Sequence, residues 1–122
     1  MKKLIVSVKT SKEVLNQATQ AMKDMQEGKF KESHYEIAFS EWKDFRKFVK
    51  NIDVIIAIYK HKPKSIYELS KIMGIDVSNL NKVISFFEDL ELIKIKTSEQ
   101  NGRTIKTPIV EYGQIQFNLK AA

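Results

Sequence analysis

Gly74 lies between two runs whose apolar residues recur at helical spacing, and this restricts the fold more than any other feature of the chain. Before it, Ser65 and Glu68 stand three apart, the spacing of a capping box, and Ile66, Leu69, Ile72 and Met73 give the inner face of a helix. After it, Leu80, Ile84 and Phe87 recur at i, i+4 and i+7 on a helix that opens at Asp76 or Val77 and runs to about Glu91. Gly74 closes the first helix in a tight turn. Two short helices joined so closely must share one core. Beyond them, "LIKIKT" and "TIKTPIV" alternate apolar and polar residues around "NGR", and Asn-Gly is a strong hairpin signal. Ile93, Ile95 and Ile105 are expected inward, with Lys94, Lys96, Thr104 and Lys106 outward.

The face of the second helix away from its apolar stripe carries Ser78, Asn81, Lys82 and Ser85, with Asn79 beside them. Solvated helix faces favour Glu, Lys and Gln, whereas Ser and Asn compete for backbone hydrogen bonds and cost helix propensity. Their chemistry suits another purpose. Asn pairs bidentately with adenine, Ser bonds either way, and Lys reaches guanine or phosphate. A polar helix stripe alone is usually just solvated. Three helices followed by a hairpin change that balance, because they follow the order of a winged helix-turn-helix whose last helix keeps one face free for the major groove of DNA.

The remaining DNA contacts follow from that placement. Arg103 at the hairpin tip is positioned for a neighbouring minor groove, and Lys94, Lys96 and Lys106 for phosphates. The helix start at Ser65, with Lys64 beside it, is expected to hold a phosphate on its free N–H groups.

The fold class expected is α+β, mainly helical. "KLIVSV" at residues 3–8 reads as a strand, and Thr10 with Glu13 caps a helix whose stripe (Val14, Leu15, Ala18, Met22, Met25) stops near Gly28. "YEIAF" at 35–39 is a short strand. Ser40 then caps a helix with the stripe Trp42, Phe45 and Val49 and with Phe48 alongside. Asn51 or Asp53 starts a helix apolar almost all round, expected to be the most buried, which Pro63 ends. Ile115, Phe117 and Leu119 make a last strand. The division expected is an arm at 1–39 that serves dimerisation, a winged helix-turn-helix at 40–112, and an extra strand at 113–122. "LIVSV" and "QIQFNL" both need a strand partner and are expected to pair with each other, within one subunit or across two.

Composition excludes several classes. The chain has 122 residues, 43% of them hydrophobic, with only four Gly and two Pro, so a packed core is expected rather than global disorder. The absence of cysteine removes disulfides and thiolate chemistry and fits a cytoplasmic protein. No run approaches the ~18 apolar residues of a membrane span, so no membrane association is expected. Net charge is +6, which invites an acidic partner. Residues 1–64 hold 14 Lys and Arg against 8 Asp and Glu, and residues 65–122 hold 7 against 7, so position matters more than the sum. His34 and His61 are isolated, and Glu88, Asp89 and Glu91 read as a solvated helix end. Gly-rich phosphate loops, HExxH and G-x-S-x-G are missing. Neither a catalytic site, a metal site nor a cofactor is expected, and the protein is not expected to be an enzyme.

At "SIYELSKIMGIDVSNLNKVISFFEDLELIKIK" the chain resembles the helix-turn-helix of MarR-type and related prokaryotic winged-helix regulators. "ELSKIMGI" matches the second helix and "DVSNLNKVISFFEDLELI" the recognition helix, although many relatives place Gly where this chain has Glu91. Over nearly its whole length the chain is similar to short predicted transcriptional regulators, some of them antitoxin-like. The resemblance implies a homodimer on double-stranded DNA, acting as a repressor, and more faintly a toxin-like partner protein. The rival expectation is a protein-interaction module, an antitoxin or adaptor that docks a partner through the same domain.

Overall fold

A computed structural model describes residues 2–9 and 34–120. Among them the chain is α+β, with four helices and five strands in two sheets. The expected helix from Thr10 to Gly28 lies outside the described residues.

The chain divides into two compact units, one of residues 1–47 with 112–122 and one from Phe48 to Glu111. The first is built on a parallel sheet of β1 (Lys2–Val8), β2 (His34–Phe39) and β5 (Tyr112–Phe117), with β1 in the middle. "LIVSV" and "QIQFNL" therefore pair within one chain, and β1 has a strand on each side. Leu4 and Val6 are fully buried, aligned with Tyr35 and Ile37 on one side and with Ile115 and Phe117 on the other. Tyr35 and Tyr112, from the two outer strands, stack with centroids 6.0 Å apart. Just past β1, Lys9 is buried and its ammonium meets Glu36 Oε1 at 2.7 Å, which matches a charge that could not otherwise leave water.

Helix α1 (Trp42–Lys50) follows β2. Within the first unit Phe45 packs edge-on against Phe39, Trp42 and Phe117. The stripe differs from expectation: Trp42 and Val49 are exposed, and Phe48 is the fully buried residue. Phe48 and Phe45 lie three apart, so the buried line runs one step round the helix from the one drawn through Val49.

In the second unit, α2 (Ile52–His61), α3 (Ile66–Met73) and α4 (Val77–Asp89) enclose a core of Phe48, Val54, Ile55, Ile58, Leu69, Leu80, Ile84 and Phe87. Phe48 meets Phe87 edge-on at 5.9 Å. Helix α2 is not the most buried: Val54, Ile55 and Ile58 point inward while Ile56 and Tyr59 are exposed, since a ten-residue helix packed from one side keeps an outer face however apolar it is. It ends at Lys62, left-handed with φ 46°, whose N–H donates to the Ile58 carbonyl ahead of the buried Pro63.

Ser65 caps α3, its hydroxyl accepting from the Glu68 N–H at 3.0 Å. Glu68 reaches back one residue further than a standard capping box and accepts from the Lys64 N–H at 3.4 Å. Ile66 and Leu69 face the core, but Ile72 is exposed and Ser70 takes the inward place, its hydroxyl donating to the Tyr67 carbonyl. Gly74, at φ 66°, adopts the left-handed conformation that closes the helix, and the amides of Gly74 and Ile75 both donate to the Ser70 carbonyl.

After α4, Glu91 takes φ 63°, the left-handed place that Gly fills in many similar turns. β3 (Lys94–Gln100) and β4 (Arg103–Ile109) then form an antiparallel hairpin through Asn101 and Gly102, both at positive φ, as a type I′ turn requires. The two-residue turn fixes Ile95 opposite Pro108 and Ile105 opposite Ser98. Paired residues share a face, so Ile95 and Ile105 lie on opposite faces rather than on one inward face. Lys94 and Lys96 share the Ile105 face, and Thr104 and Lys106 the Ile95 face. The Thr107 hydroxyl donates to the Lys64 carbonyl at 2.6 Å and fixes β4 beside the loop that leads into α3.

Candidate functional site

The starts of α3 and α4 and the tip of the hairpin border a groove of about 760 Å³ in the second unit. Ser65 and Tyr67 at the start of α3, Asn81 on α4, and Arg103 and Lys106 at the hairpin tip border it. Ser65, Asn81, Arg103 and Lys106, which the sequence placed in three motifs, thus border one depression. Arg103 and Lys106 supply positive charge, and its described lining contains no carboxylate.

The polar stripe of α4 stands clear of the core. Ser78, Asn79, Asn81, Lys82 and Ser85 are all exposed, while Leu80, Ile84 and Phe87 on the opposite side are buried. Charge is sorted along this helix. Its first turn lies at the basic groove, while Glu88 and Asp89 occupy the other end of a helix ~20 Å long.

Two expected contacts have competing bonds. The Ser78 hydroxyl donates to Asp76 Oδ2, which leaves only its lone pairs for another partner. That bond, helped by the nearby Asn79 amide, holds the Asp76 carboxyl below the usual aspartate range, slight desolvation opposing it. Lys94, at the open end of the hairpin, pairs with Glu111 at 3.0 Å. Lys96 is exposed on the other face of the ribbon from Lys106. Lys64 is exposed, with its carbonyl and amide both engaged in holding the α3 entry.

More than half of the chain, residues 49–117, matches one family, HVO_A0114. The chain belongs to the HVO_A0114 family. Comparison with curated proteins and with solved structures gives no match. The stretch shared with the family contains the groove, the exposed stripe of α4 and the whole hairpin.

Tyr67 was not singled out in the sequence, yet it is exposed at the groove, with the Lys71 ammonium 5.2 Å from its ring centroid. The signal was available. Tyr67 falls outside the Ile66 and Leu69 stripe, so a helix there must turn it to solvent, and Lys71 stands at i+4. Gln100 at the hairpin tip also lines the groove and carried no such signal. Among the described residues, no group of His, Asp and Glu is arranged to hold a metal ion, and no helix is long and apolar enough to cross a membrane.

Proposed function

We propose that the second unit is a winged helix-turn-helix that binds double-stranded DNA sequence-specifically, with α4 in the major groove and the hairpin as the wing, and that the protein is a transcriptional regulator. The observation that carries this reading is the shared groove: Asn81, able to pair with a base edge, and the cations Arg103 and Lys106 border one depression free of carboxylates among its described residues. A helix about 10–12 Å across fits a major groove roughly 12 Å wide, and short side chains let it approach closely. Asn81, Lys82 and Ser85 read bases, while Ser78, tied to Asp76, orders the helix start. Arg103 and Lys106 neutralise phosphates flanking the site, and the free amides of the α3 N-terminus hold another.

The regulator acts as a homodimeric repressor in this reading. The exposed Ile56 and Tyr59 on α2 favour a second reading, docking of a partner protein such as a toxin, in which DNA binding is weak and indifferent to sequence.

A mobility-shift titration of the full chain with duplex from upstream of its gene, at about 50 and 200 mM salt, separates the two. DNA recognition gives a complex that survives unrelated competitor duplex and weakens steeply with salt. No complex at the lower salt, or one that unrelated duplex competes away equally, removes the proposal.

A further inference from the structure

Backbone alternation leaves an unfilled position at the carboxyl end of the parallel sheet in the first unit. The Lys9 N–H donates to the Phe39 carbonyl, toward β2, and the Asn118 N–H donates to the Val6 carbonyl, from the β5 side. In a parallel strand the bonding direction alternates, so the N–H and C=O of Val8 turn toward β5. The β1–β5 pairing ends at Val6 and Phe117, one step short of Val8. A cavity of about 390 Å³ occupies that place, lined by Val8, Trp42, Phe45, Phe117, Asn118 and Leu119 among others. This volume lies in the range of small-molecule sites, and the carboxyl ends of parallel strands are where open sheets place ligands.

The lining defines the ligand. Phe45 stands edge-on between Trp42 and Phe117, with centroids 6.1 and 6.4 Å away, so the walls are aromatic. Trp42 is 62% exposed, which leaves aromatic surface open to a flat guest. The one charged residue in the described lining is Lys9, whose ammonium is already held by Glu36. A neutral guest therefore fits better than an anion. We propose that this cavity binds a small, planar, neutral heteroaromatic molecule carrying a hydrogen-bond donor and acceptor side by side, which complete the ladder at the Val8 N–H and C=O. The site is independent of the DNA reading, since none of its lining residues belongs to the groove beside α4.

Trp42 is the only tryptophan, so its emission reports directly on this cavity. The probe is isoquinolin-1(2H)-one, whose ring N–H and carbonyl are adjacent, with its N-methyl derivative as control. The full chain should show a saturable change in Trp42 emission with an apparent Kd at or below about 1 mM, and the Val8 amide resonance should shift along the same curve. The N-methyl compound should bind about tenfold more weakly, as expected for one lost hydrogen bond. Phe117→Ala should weaken the parent probe several-fold, and the probe-and-control pair on the unaltered chain decides the matter should that variant fail to fold. Linear, unsaturated changes, equal affinity for the two compounds, or an unmoved Val8 amide would each overturn the proposal. So would a Trp42 signal that follows protein concentration rather than probe, which would assign the cavity to contact between copies.

Discussion

Ser78 shows how a side chain exposed on a helix face can already be engaged nearby. Its position on the polar stripe follows from helical periodicity, but its hydroxyl proton goes to Asp76, two residues back. The pairing stabilises the ionised carboxylate, so the folded Asp76 pKa lies below the unfolded value. The contribution is fully present above the ordinary aspartate value of about 4 and is lost as pH falls through the lower folded value. Thermal melts across acidic pH should therefore show Asp76→Asn less pH-sensitive than the unaltered chain, the gap between them being full and constant above about pH 5 and closing as pH falls. The hairpin cations separate at the same scale. Lys106 borders the groove and Lys96 lies on the other ribbon face. Lys106→Ala should flatten the salt slope of DNA binding by about one, as each phosphate contact does, without altering sequence choice, and should do so more than Lys96→Ala.

The elements that a reader of the sequence could place are those set by local chemistry. Ser65, Gly74 and Asn101-Gly102 fix helix start, helix stop and turn within a few residues, and all three lie where their chemistry put them. Gly102→Ala should cost about 1–2 kcal/mol in denaturant titration, through its φ of 74° alone, because an added Cβ meets nothing within 4 Å. What failed depended on packing partners. Ile72 and Ile105 fit an apolar pattern, but exposure of Ile72 is decided by which side of α3 the other helices cover. The face of Ile105 was within reach of the sequence. A two-residue turn at 101–102 makes paired positions sum to 203, which places Ile105 opposite Ser98 and Ile95 opposite Pro108. In the core, Phe87→Ala should remove about 3–5 kcal/mol, since Phe87 is fully buried against Phe48.

At the scale of the whole chain, two cores divide the work. Residues 48–111 hold three helices, a hairpin and their own buried residues, so a fragment of that span should fold alone, with a cooperative thermal transition in circular dichroism. At 64 residues it will be marginal. The pairing of "LIVSV" with "QIQFNL" was legible from their shared need of a partner. The parallel direction and the addition of β2 on the other side were not, because strands distant in the chain meet there and no local signal specifies their order. The central claim is that α4 reads bases through its free face. Its most direct measurement is fluorescence anisotropy of a cognate and a scrambled duplex with the full chain and with Asn81→Ala, at one salt concentration. The claim predicts that Asn81→Ala loses about 1–3 kcal/mol on the cognate duplex and almost nothing on the scrambled one. Equal losses on both duplexes, or none on either, would contradict it.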